Sequence, residues 1–205
     1  MSANREAMTS SEPTPGSPGS IVDRLTPQVG WSTVALVTLL TLTAAWSIED
    51  ARWILDRHAL TGFLWEIALL SVAWGVVAAV VRWSRLPTYL LGAILAALIV
   101  PVLVGRILLP GADVAEAFRA TAHATAEAYL DLAWRGKSLT QQVGHYMLTL
   151  GLIVWATGMF AAYAVVKRRR PVDAVVVTGL VLIIDMSLTR NDQLYLLVLF
   201  TIAAL

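Results

Sequence analysis

The chain of 205 residues contains no cysteine, so within it disulfides, thiolate metal sites and cysteine nucleophiles are excluded. Charge is scarce as well. Asp, Glu, Lys and Arg make up 14% of the residues, against roughly 25% in soluble domains. The HExxH zinc pattern, the GxSxG nucleophile elbow, the Walker loop and the Gly-rich dinucleotide turn are all missing. His123 and Glu127 stand one helical turn apart with no further ligand at metal spacing, and Asp56 with His58 are too few for a site. No catalytic, cofactor or metal residue can be assigned, and the chain is expected to be no enzyme by itself.

What is abundant is apolar side chain, 58% of the sequence, with a mean hydropathy of +0.70. It falls into blocks. The clearest runs from Gly144 to Arg170 and closes on Lys167, Arg168, Arg169 and Arg170 before Pro171. About 20 apolar residues at 1.5 Å rise cross a bilayer core, and a Lys/Arg cluster at one end marks the cytoplasmic side. Other blocks cover about 30–48, 60–81, 86–109, 172–188 and 193–205. The last is too short to cross, about 20 Å as a helix, and breaks off inside an apolar run, so a truncated sixth span is expected. The fold class expected is all-α: a polytopic membrane helix bundle of five full spans, that partial sixth and one outer amphipathic helix.

Loop charge orients the bundle. Arg82 and Arg85, and then Lys167 to Arg170, form two purely basic connections, which belong on the cytoplasmic side. The connections holding Glu49, Asp50, Arg52, Asp56 and Arg57, and Arg190 with Asp192, carry mixed charge and fall opposite. Residues 1–29 open with a Ser/Thr/Pro/Gly-rich stretch and read as a disordered cytoplasmic tail. The basic run at 168–170 could touch nucleic acid or anionic lipid, but its position directly beside a span favours a topogenic role. The partner expected is the lipid bilayer of a bacterial cell membrane.

The outer connection, 110–143, is patterned as a helix. Val114, Phe118, Thr121, Thr125, Tyr129 and Leu132 step along one face, Glu116, Arg119, His123, Glu127, Asp131 and Arg135 along another. Asp113 and Glu116 fit a capping box and Gly136 a stop. Its acid-balanced polar side favours docking on the bundle mouth over attraction to anionic lipid. Small residues recur at Ser71, Gly75 and Ala79 and at Gly144, Gly151 and Gly158, spacings that let helix backbones approach closely.

Charged groups in spans are functional candidates by default. Glu66, Arg106, His145 and Asp185 all fall in the outer half of their spans. Together they could bind a proton, ion or substrate, or they could be interfacial charges paired for structure, Arg106 answering Glu66 or Asp185.

The stretch LIVWATGMFAAYAVVKRRRPVDAVVVTGLVLIID, followed by a polar break and LYLLVLFTIAAL, resembles the N-terminal membrane region of bacterial transglutaminase-like membrane proteins. In that family five or six spans precede an extracytoplasmic domain with a papain-like Cys-His-Asp triad, then a final span and a cytoplasmic tail. The resemblance implies a non-catalytic module that anchors and positions such a domain, either C-terminal to it or separate. None of the triad residues maps onto this sequence. The competing reading is a small transporter or channel subunit working through Glu66, Arg106, His145 and Asp185.

Overall fold

A computed structural model describes residues 30–51, 60–81, 83–136, 143–189 and 193–205. The expected tail at 1–29, Arg82, and the polar groups at Arg52, Asp56, Arg57, His58, Arg190 and Asp192 lie outside the described residues. Among the described residues the chain forms seven helices and no strand: α1 (Trp31–Asp50), α2 (Leu64–Val80), α3 (Arg85–Leu108), α4 (Val114–Trp134), α5 (Val143–Arg168), α6 (Pro171–Leu188) and α7 (Leu194–Ala204). Four of them, α1, α3, α5 and α6, are long and apolar enough to cross a membrane. The 17-residue α2 starts at Leu64 rather than Leu60 because residues 60–63 form a turn. The 11 residues of α7 are shorter still.

The helix ends follow their local chemistry. Pro171 occupies the first turn of α6, where its missing N–H leaves no hydrogen bond unmade. The Asp113 carboxylate accepts from the Glu116 backbone N–H at 2.6 Å, capping α4 as its spacing predicts. Gly136, with φ of 59°, follows the end of α4. Helix α3 runs unbroken through Pro101. Hydroxyls inside the helices turn back on their own backbone: Thr41 to Val37, Thr149 to His145, Thr157 to Ile153 and Thr178 to Ala174. Each polar group is thereby satisfied without leaving its helix.

Helix α5 is the hub. It packs along α2 with the two helices parallel, Ser71 facing Gly158 and Gly75 facing Ala162. A Cβ on Gly75 would stand 2.7 Å from both the Ala162 Cβ and the Met159 carbonyl oxygen, so only glycine permits this approach. Both small-residue stripes therefore lie in one seam, although Gly144 reaches instead toward Leu108 and Ala124. Helix α1 packs on α2, α5, α6 and α7, α6 packs on α5 as well, and α3 packs on α5.

Helix α4 docks on protein, mainly α3. Its contact stripe is Ala117, Thr121, Ala124 and Ala128, in which Ala117 sits against the Gly105 backbone and the Thr121 hydroxyl donates to the Pro101 carbonyl at 2.9 Å. The sequence pattern points to a bulkier face, yet Val114 and Tyr129 stay exposed and Phe118 is half-buried; the Leu132 side chain lies outside the described ones. The physical reason is backbone proximity. Small residues allow α4 and α3 to touch, and large ones would hold them apart.

Candidate functional site

Polar side chains gather at the two ends of the bundle. At one end, the last turn of α1, the last turn of α6 and the residue preceding α7 converge. The Ser47 hydroxyl lies 2.5 Å from the Asp185 carboxyl and 2.9 Å from the Gln193 side-chain oxygen. The Gln193 amide N–H donates to the Ser47 backbone carbonyl at 2.9 Å, which fixes which way the amide faces. All three are buried: Ser47 at 0%, Gln193 at 1% and Asp185 at 4% exposure. In a water-poor interior such a network holds three helix ends in register, since each member left alone would be an unsatisfied buried group. Just beside it Tyr195 of α7 and Asp50 of α1 line one cleft.

The four residues singled out from the sequence stand on four different helices, α2, α3, α5 and α6. Asp185 belongs to the network just described. Glu66 is half-buried in the first turn of α2, and Arg106 is exposed in the last turn of α3. Each matches the partial charge of its own helix end, acid at the positive N-terminus and base at the negative C-terminus. Among the described residues they form no ion pair with each other. His145 is buried in the first turn of α5, its ring centroid 4.0 Å from that of Tyr146. Ser47 and Gln193 escaped the sequence reading, because a Ser or Gln near a span end is ordinary and these two stand 146 residues apart.

The other end is basic and aromatic. Arg85 opens α3, while Lys167, Arg168, Arg169 and Arg170 close α5 and lead into α6. The Tyr163 hydroxyl donates to the Trp83 carbonyl at 3.0 Å, and Trp74 Nε1 donates to the Thr88 carbonyl at 3.3 Å. Edge-to-face contacts join Trp74 to Trp83 at 5.7 Å and Tyr89 to Tyr163 at 5.8 Å. The α2–α3 connection is thus fastened to α5 by rings whose apolar bodies are buried and whose polar atoms find carbonyls.

Between α3, α4 and α5 runs an apolar groove of about 720 Å³, lined by Ala97 and Pro101, Phe118 and Tyr129, and Trp155 and Met159. Trp155 is 2% exposed. Among the described residues no three or more His, Asp or Glu side chains come together as metal ligands could.

No family model matches the sequence, and comparison with curated proteins and with solved structures likewise finds no match. The class rests on the chain itself: among the described residues it is all-helical, with four helices long and apolar enough to cross a bilayer.

Proposed function

We propose that this chain is a non-catalytic membrane module, with α2 and part of α7 joining the four longer helices in the bilayer, that anchors and positions an extracytoplasmic domain of transglutaminase or protease type. Its mechanism is tethering: confinement to the membrane surface raises the effective concentration of the attached domain near envelope substrates. The orientation proposed puts the N-terminus and the basic end in the cytoplasm of a bacterial cell, with α4 outside.

The observation that carries this reading is the use made of the buried polar groups. Asp185, the buried carboxylate among the described residues, bonds to Ser47 at a three-helix junction. Thr121 fastens α4 to α3, and Tyr163 fastens the α2–α3 connection to α5. These are the fixings of a rigid scaffold. A transport pathway through Glu66, Arg106, His145 and Asp185 would need the four to line one passage; among the described residues no ion pair joins Glu66 to Arg106.

The deciding experiment is to read the gene beyond the codon for Leu205. A soluble domain bearing Cys, His and Asp is expected, and a stop codon there defeats the proposal. Reporter fusions at Arg85 and Arg169 should report cytoplasm and one at Thr125 the outside; an outside signal at Arg169 reverses the orientation.

A further inference from the structure

The basic end carries more than a topogenic signal requires. The Arg168 guanidinium carbon lies 5.8 Å from the centroid of the Tyr163 ring. Tyr163 is 2% exposed and meets Tyr89 edge to face, and Tyr89 in turn lies within electrostatic reach of Arg85. Two arginines therefore flank a pair of tyrosines, Tyr163 buried and Tyr89 half-buried. Arg168 is half-buried, and its Nη2 is buried with no hydrogen-bond acceptor among the described residues. Asp173, the acid of this end, is taken up by Arg170 at 3.9 Å. A guanidinium that is stacked, partly desolvated and short of an acceptor calls for an anion with two oxygens in its plane.

Two further features bear on what that anion belongs to. Arg169 sits at φ of 55°, in the left-handed conformation where glycine is the usual residue, while the Arg170 N–H closes the helix end on the Ala164 carbonyl at 3.2 Å. A cation is kept at this turn although the backbone there disfavours any side chain. Directly beside the cations, exposed apolar side chains begin: Leu86 and Leu90 on α3, Val172 and Val176 on α6. Cations and open apolar faces thus adjoin on both sides of the turn.

We propose that the basic end is a binding site for an anionic phospholipid. Arg168 pairs with its phosphate, Arg85 supplies the second positive charge across the tyrosine pair, and the acyl chains lie on the apolar faces of α3 and α6. The site does not depend on what the module anchors.

The test uses the full chain, purified in detergent, stripped of lipid and offered phosphatidylglycerol or phosphatidylcholine of identical chains, with bound lipid counted by native mass spectrometry. Phosphatidylglycerol should be retained at least about fivefold better, the scale set by a single basic residue at a membrane surface. Arg168→Gln removes the charge beside the Tyr163 ring and should erase most of that preference. Arg85→Gln should weaken it about fivefold and, at an exposed position, serves even if the Arg168 variant fails to assemble. Arg119→Gln, on the exposed face of α4, should change nothing. Equal retention of the two lipids, or undiminished preference in both the Arg168→Gln and Arg85→Gln proteins, overturns the proposal. So does full displacement by millimolar glycerophosphoglycerol, which would make the site a reader of soluble phosphate.

Discussion

Helices α5 and α6 are almost equally apolar, with mean hydropathies of 1.8 and 1.9 over their best windows, yet 67% of that window is buried in α5 and 22% in α6. They are joined by a single tight turn, so chain position does not separate them. Composition does. Helix α5 presents Gly151, Gly158, Ala161 and Ala162 to its neighbours, whereas α6 is dominated by Val, Leu and Ile and attaches by a narrow stripe of Ala174, Thr178, Leu182 and Asp185. In lipid, apolar area gives no net drive between helices, because acyl chains are as apolar as leucine. The buried helix is the one that lets others come close.

The comparison breaks most visibly at Gly75. Replacing it with Leu forces a side chain into the space held by Ala162 and the Met159 carbonyl, in the seam between α2 and the hub. A loss of about 3 kcal/mol is expected in unfolding titrations in mixed micelles, the upper range for an overpacked core. If the Gly75→Leu protein unfolds at the wild-type midpoint, close backbone approach is not what sets the hub apart.

The attachment of α6 tests the second half of the contrast. Asp185→Ala removes one of the two acceptors facing the buried Ser47 hydroxyl, and should cost about 2 kcal/mol. Asp185→Asn retains a polar side chain for Ser47 and should cost less than half as much. The order matters more than the size. Should the Asn protein prove as unstable as the Ala protein, the carboxyl acts through something other than its bond to Ser47. On α4 the corresponding link is weaker: Thr121→Val removes the bond to Pro101 and should cost about 1 kcal/mol. Faster amide exchange across α4 alone, with α3 unchanged, is the expected signature.

The helix-level plan could be read from the sequence because it depends on local signals. Apolar runs, the Asp113 cap, Pro171 in a first turn and Gly136 after a last one act within a few residues of themselves, and each is found where its chemistry puts it. The contact faces were less legible. On α4 the periodic bulky residues attract notice, yet Ala117, Thr121, Ala124 and Ala128 make the interface, a stripe hidden by the general abundance of alanine. The Ser47–Asp185–Gln193 network could not be read at all beyond Asp185, since nothing in a single chain links positions so far apart. For Glu66 and Arg106 the sequence pattern invited a shared role, while each charge matches the dipole of its own helix end.

The smallest effect is expected where hydropathy alone would forecast a large one. Leu180 stands on the outer face of α6, 57% exposed, amid Val176, Ile183 and Ile184 that are exposed likewise. Truncating it to Ala removes as much side chain as a core deletion that costs 2–5 kcal/mol in a water-soluble interior, as a rough guide. Here no packed neighbour loses its contact, and lipid or detergent chains close over the shortened side chain. The change in unfolding free energy should stay within about 0.5 kcal/mol, the range of substitutions away from packed features. A larger loss at Leu180, confined to conditions in which the protein associates, would mean that this face of α6 meets another protein surface, and the contrast between the two helices would then be one of partners rather than of burial.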